Sequence, residues 1–363
     1  MSNKKKIALL NFPVDGNFGG HLQRYALMEI LRDEGADVTH LNCRYINSRR
    51  SPFKRVKCVI KESLRFVKRS QKGELDIHDL PYLQYFLNRD PKTEKFYDRY
   101  VSHTERIYTK EQLVHFNNYD AYVVGSDQVW RAPMAAYNYG IDTYFFDYLP
   151  PIAKRYAYGV SLGTSEKEFS DGEVSRLTGL YRMFQMVSVR EKDALDKFRD
   201  FGWTEPAAEY VLDPTLLLEK EHYARLVNNT YTKISPGNLF CYILDDNVEV
   251  QNKISQIAAD KQLHPFYITL ESNCSVEQWL RSFMDSEYVI TDSYHGFVFS
   301  LIFNKPFFLL YNEKRGNIRF ESLLRLLHIT GHDDSFDWKH INSVINKGKD
   351  KSLNFIKKLY QSI

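Results

Sequence analysis

The chain has 363 residues, 43% hydrophobic and 26% charged, with a formal net charge of +3; this is a globular composition, too long for one ordinary core, and it excludes a disordered or fibrous chain. No apolar run approaches the ~20 residues that cross a bilayer, and "MSNKKKIALLNF" is too poor in apolar residues for a secretory leader, so a cytoplasmic location is expected. The four cysteines (Cys43, Cys58, Cys241, Cys274) contain no close pair and signal neither a disulfide framework nor a zinc site.

Short apolar strands alternate with amphipathic helices, the pattern of open parallel α/β sheets. "KIALLNF" (6–12) reads as the first strand. "PVDGNFGG" follows, with Gly16, Gly19 and Gly20 expected to form a loop before a helix. Asn17, Gly19 and Gly20 are candidates for contacting an anion there, because glycine lets backbone N–H groups approach a ligand at a helix N-terminus. The spacing is not G-x-G-x-x-G, so no dinucleotide fingerprint is claimed. Leu22, Tyr25, Ala26 and Ile30 then follow near helical spacing up to Gly35.

"ADVTHLN" (36–42) is the second strand. The basic stretch from Arg44 to Lys72 follows, with eleven Lys or Arg against the single acid Glu62. Phe53, Val56, Ile60, Leu64 and Val67 have helical spacing within it, so an amphipathic basic helix lying on a membrane surface is expected, against the alternative of an ordinary domain helix with a solvated face. Nucleic acid is not expected as a partner, since no recognisable nucleic-acid fold accompanies the segment.

Further strands are expected at 121–125, 155–161, 186–190 and 209–213. In open parallel sheets ligands bind beyond the carboxyl ends of the strands, so the residues there are site candidates. After 121–125 come Asp127 and Gln128 in "GSDQVW". Asp127 could accept a proton from a hydroxyl, or simply cap the next helix. Arg190 ends "MVSVR" and could grip a carboxylate or phosphate, or pair locally with Glu191 or Asp193.

The polar "NNTYTKISPGN" (228–238) reads as a linker. A second strand series is expected at 239–244, 265–270, 288–291 and 306–311. "TDSYHG" follows the third of these, placing Ser293 and His295 at a junction before an apolar helix from Phe297 to Phe303. Lys314, Arg315 and Arg319 in "YNEKRGNIRF" suit an anionic ligand. His328 and His332 are four apart, but Gly331 interrupts the helix they would share, so no metal site is expected. The expected organisation is an N-terminal Rossmann-like domain (1–227), a linker (228–238), a C-terminal Rossmann-like domain (239–337) facing the first across a cleft, and a terminal helix (338–363). Tyr and Phe number 25 and 24, which suits sugar stacking or large cores, with the core reading preferred.

The ordered blocks "NFGGHLQRYAL", "GSDQVW", "RYAYGVSLGTS", "SVREKDAL", "VLDPTLLL" and "TDSYHGFVFSLIFNKPF" together resemble the polysaccharide pyruvyl transferase family over residues 6 to 330. The resemblance implies a GT-B-like pair of Rossmann domains. It also implies transfer of the enolpyruvyl unit of phosphoenolpyruvate, as co-substrate and without a cofactor, onto a sugar, usually as a ketal across two hydroxyls. By motif, Arg190 matches a donor-binding arginine and His295 the active-site histidine. Some members carry arginine two residues before that histidine, where this chain has Ser293; Lys314, Arg315 or Arg319 would then supply the missing contact. The expected acceptor is a lipid-linked saccharide, which places the protein at the inner face of the membrane. Two other readings of the same fold are a glycosyltransferase using a nucleotide sugar and a carbohydrate-binding protein without turnover.

Overall fold

The computed structural model describes residues 4–44, 92–136, 139–164, 166–269, 272, 274–310, 317–332 and 335–363. Every strand expected from the sequence forms, and together they make two parallel sheets. The first has six strands: β1 (Lys6–Leu10), β2 (Asp37–His40), β3 (Ala121–Val124), β4 (Arg155–Val160), β5 (Phe184–Val189) and β6 (Ala208–Tyr210), in spatial order β2-β1-β3-β4-β5-β6. The second has four: β7 (Leu239–Tyr242), β8 (Pro265–Tyr267), β9 (Tyr288–Thr291) and β10 (Phe307–Leu309), in order β10-β9-β7-β8. The central strands are buried along their whole length because both faces are covered: every residue of β3, β4, β7 and β9 is buried.

The aromatic excess belongs to the interior. Trp130, Trp203 and Trp279 are fully buried. Trp130 stacks on Phe145 with ring centroids 4.3 Å apart, and Tyr181 stacks on Trp203 at 5.3 Å. The terminal helix Trp338–Ser362 returns to the six-stranded sheet. There the Leu212 amide donates to Ser352 Oγ (2.9 Å), and Lys154 and Lys5 donate to the carbonyls of Ile363 and Tyr360.

Several strands stop before the expected position, and the difference matters for the site. β5 ends at Val189 and β6 at Tyr210, so Arg190 and Asp213 leave the ladder and turn into the space beyond the strand ends. The basic helix expected from 45 to 72, together with Cys58, Lys314 and Arg315, lies outside the described residues. Arg44 is described, and its guanidinium is buried in a bidentate pair with Glu94 at 2.8 and 2.6 Å. Among the described residues no helix is long and apolar enough to cross a membrane.

Candidate active site

The segment "TDSYHG" is a chain of local hydrogen bonds that aims two side chains. Thr291 Oγ1 donates to the Tyr242 carbonyl at 2.7 Å, tying β9 to β7. Asp292 accepts the amides of Leu244 and Asp245 at 2.7 and 2.8 Å. Ser293, expected to bind substrate, caps the helix Tyr294–Ile302 by accepting the Gly296 amide at 3.3 Å. That cap starts the helix earlier than the apolar run suggested, so Tyr294 and His295 occupy its first turn. Gly296 is required by crowding: a Cβ there would lie 2.2 Å from Thr291 Oγ1.

A second helix start meets the first. Asn17 caps the helix Phe18–Asp33 by accepting the Gly20 amide at 3.2 Å, so Gly19 and Gly20 lie inside the helix and not in a loop before it. Asn17's carboxamide oxygen is therefore engaged by the helix. Gly19 faces His295 so closely that a Cβ would lie 2.1 Å from the ring Nδ1. No rotation of a buried ring relieves such an overlap without displacing it. Gly19→Ala is expected to lower turnover about 10- to 100-fold through a shift of His295 of the order of 1 Å. Gly20→Ala, whose nearest neighbour would be Asn17 at 3.6 Å, should leave turnover unchanged. Parallel kinetics on the two variants check this.

Arg190 is 3% exposed and is held on both sides. Its Nη1 donates to Asp213 Oδ2 at 2.7 Å and its Nη2 to Asp127 Oδ1 at 2.9 Å. The local pairings considered for it do not form. Glu191 accepts the Leu162 amide at 2.8 Å, and Asp193 pairs with Arg325. Arg319, from the helix Ile318–Leu327, is 9% exposed and forms no ion pair among the described residues. Both guanidiniums stand 5.1 Å from the centroid of the Tyr294 ring. Burial, and then the neighbouring Arg190, push the Arg319 pKa down to about 10, so it stays charged at neutral pH.

Asp127 does not cap the next helix, which begins at Ala132. Its φ of +99° holds the carboxylate toward Arg190, and the Ser161 amide donates to its carbonyl at 2.9 Å. Burial works to raise its pKa, but Arg190, Arg319 and His295 outweigh burial and hold it below the usual carboxylate range. A carboxylate held so low is a weak proton acceptor, which favours the role of counter-ion over that of base. Gln128 Oε1 accepts from Arg131 Nη1 at 3.1 Å, inside the pair that Arg131 makes with Glu168.

Asp213, which the strand-end reasoning passed over, is the node of the site. It is 1% exposed. Its Oδ2 accepts from Gln23 at 2.6 Å and from Arg190, and lies 3.8 Å from His295 Nε2. Its Oδ1 accepts the Thr215 hydroxyl at 2.7 Å and the Thr215 amide at 3.1 Å. Burial pushes its pKa up, but His295 and Arg190 together hold it well below the normal range. The signal for it was present, since Asp213 is the last residue of the apolar run "EYVLD" and precedes a proline, as the other strand-end polar residues precede their turns. The structure thus gathers Gly19, Asp127, Arg190, His295 and Arg319 with Asp213, Tyr294 and Gln23. A surface cavity of about 510 Å³ beside Lys167, Asp171 and Arg182 is lined by none of them.

A family model described as polysaccharide pyruvyl transferase matches residues 17–314 of the chain. No curated protein matches the sequence. Among solved structures, the UDP-N-acetylglucosamine 2-epimerase from Rickettsia bellii is 9% identical with a TM-score of 0.50, over 99% of this chain and 98% of that one. The S. aureus MnaA–UDP structure is 9% identical with a TM-score of 0.46, over 97% of this chain and 90% of that one. At such identity the likeness to the Rickettsia bellii epimerase is one of fold: two Rossmann-like sheets in a GT-B-like arrangement.

Proposed function

The chain belongs to the polysaccharide pyruvyl transferase family, and from that premise we propose that it moves the enolpyruvyl unit of phosphoenolpyruvate onto a sugar of a bacterial surface-glycan precursor, as a ketal. One observation carries the proposal for the donor: the buried guanidiniums of Arg190 and Arg319 converge over Tyr294, beside His295. Each Nη group of Arg190 bonds a carboxylate, Asp127 or Asp213, whereas Arg319 forms no ion pair among the described residues, so Arg319 is the proposed contact for the donor's carboxylate or phosphate. It stands in for the arginine that Ser293 replaces, with Lys314 and Arg315 adding charge from the segment before it.

The chemistry needs a proton donor and fixed positive charge. A proton delivered to the methylene carbon of phosphoenolpyruvate makes the neighbouring carbon oxocarbenium-like. One sugar hydroxyl adds there, the bond to phosphate breaks, and a second hydroxyl closes the ketal. The carbon's proton and the one that leaves with phosphate balance the two lost by the hydroxyls. Imidazole, with an unperturbed pKa of about 6.5, suits the first transfer, and His295 is the proposed donor.

Mass spectrometry of lipid-linked saccharides incubated with phosphoenolpyruvate tests the proposal, in the presence and absence of a chelator. A ketal-type pyruvyl addition with release of phosphate, undiminished by the chelator, is the expected result. Release of a nucleotide from a sugar nucleotide would replace this reading with glycosyl transfer, and saturable sugar binding without turnover would replace it with a binding protein. We propose in addition that residues 45–72 hold the enzyme at the membrane surface, without Arg44, whose charge is taken up by Glu94; each basic residue near anionic lipid contributes about 1 kcal/mol. Sedimentation with anionic but not neutral liposomes at low salt, lost at high salt, is expected. Equal recovery in the supernatant with both would sink the idea.

A further inference from the structure

Two nitrogens of the His295 ring have different surroundings. Nε2 is buried without a hydrogen-bond partner and lies 3.8 Å from the buried Asp213 Oδ2. Nδ1 is on the edge that meets Gly19, at the start of the helix Phe18–Asp33. A buried ring nitrogen with no partner is costly, and a carboxylate at ion-pair distance is the group that relieves the cost when that nitrogen carries a proton. We infer that Asp213 is a positioning residue for His295: it keeps a proton on Nε2 and leaves Nδ1 as the nitrogen that exchanges a proton with substrate.

The inference rests on the reading of His295 proposed above. In it, the imidazolium gives the Nδ1 proton to the donor's methylene carbon and becomes the neutral Nε2–H tautomer. Nδ1 then takes a proton from the attacking hydroxyl, and Asp213 remains ionised throughout. Asp213 is built for that constancy, because Gln23, Arg190 and both donors of Thr215 fix its carboxylate from the other sides. Gly19 fits the same account: a side chain there would cover the working nitrogen. Among the described residues, the other charged or titratable groups around the ring are Asp127 and Arg190 from the six-stranded side, and Tyr294 and Arg319 from the four-stranded side. The helix Phe18–Asp33 adds His21 and Arg24, whose side chains bond to the carbonyls of Asp15 and Phe12.

The test uses the full chain with ring-¹⁵N histidine, its His295 signals assigned by loss in His295→Gln, titrated by two-bond ¹H–¹⁵N spectra. The wild type should show the Nε2–H tautomer in its neutral form. Asp213→Asn should abolish that preference and lower the His295 pKa, since the neighbouring negative charge is gone. In kinetics, kcat should fall about 10²-fold or more, with its pH dependence displaced in the same direction as the NMR titration. Should Asp213→Asn fail to fold, Gln23→Leu serves: freeing Asp213 Oδ2 of one donor should raise the His295 pKa. A neutral Nδ1–H tautomer in the wild type, or a His295 titration unchanged by either variant, overturns the inference. Tautomer and titration as expected, with no pyruvyl transfer to any acceptor, would leave the pair standing and remove the proposed reaction.

Discussion

His295→Ala is expected to cut turnover about 10²–10⁴-fold, the loss typical of removing a general acid or base, while the protein stays folded. The tolerance of the fold follows from how little the ring is used structurally. Its Nε2 makes no hydrogen bond, and the helix it sits on is started by Ser293 and Gly296, which the substitution leaves in place. Asp213 loses a neighbour but keeps Gln23, Arg190 and Thr215, so no buried charge is stranded. Circular dichroism and thermal melting should be close to those of the wild type, and the loss should lie in kcat more than in donor affinity. A variant retaining more than roughly a tenth of wild-type turnover would remove His295 from the chemistry.

The sequence was most informative where one residue's surroundings are decided by its near neighbours. β9 and the helix after it are legible because "YVIT" and the apolar run from Phe297 are buried on all sides. The strand-end rule then places Arg190 and His295 beyond β5 and β9 without any knowledge of their partners, and the structure has them there. The same local logic, applied once more, identifies Asn17 and Ser293 as helix caps. Each is a short polar residue immediately before a helix, and in each the side-chain oxygen accepts the amide three residues on. What no local pattern carries is the choice of ion-pair partner. Arg190 ignores Glu191 and Asp193 for carboxylates 23 and 63 positions away, because β5 is flanked by β6 and, one strand beyond β4, by β3, and the segments after these parallel strands share one end of the sheet. The contact of Gly19 with His295 depends on how the two sheets face each other, and only the closed fold reveals it. The aromatic residues make the complementary point: composition permitted sugar stacking, and most of the described Tyr and Phe, with Trp130, Trp203 and Trp279, are buried in the core.

Arg190→Ala is expected to be worse than inactive. A guanidinium that served only as a donor ligand could be removed with the fold untouched. The structure changes that expectation, because the guanidinium is the shared counter-ion of Asp213, whose side chain is fully buried, and Asp127, whose side chain is 19% exposed. Removing one partner of a buried pair strands the other and typically costs about 3–5 kcal/mol, a large part of the 5–15 kcal/mol that holds an ordinary domain together. The pH dependence should identify the cause. In the wild type both carboxyls are held below their ordinary range, so their contribution to stability is present above the unfolded-state pKa and is lost only as pH falls through the lowered folded value. Without Arg190 their folded pKa values rise, and acid lets the stranded carboxylates take up protons. The deficit of the variant should therefore be greatest near neutral pH and shrink toward pH 5, as urea midpoints at the two pH values would show. Arg190→Lys should fall between the two proteins, since one ammonium cannot bridge both carboxylates in the plane a guanidinium provides. A urea midpoint for Arg190→Ala equal to that of the wild type at neutral pH would mean that Asp213 and Asp127 do not depend on it.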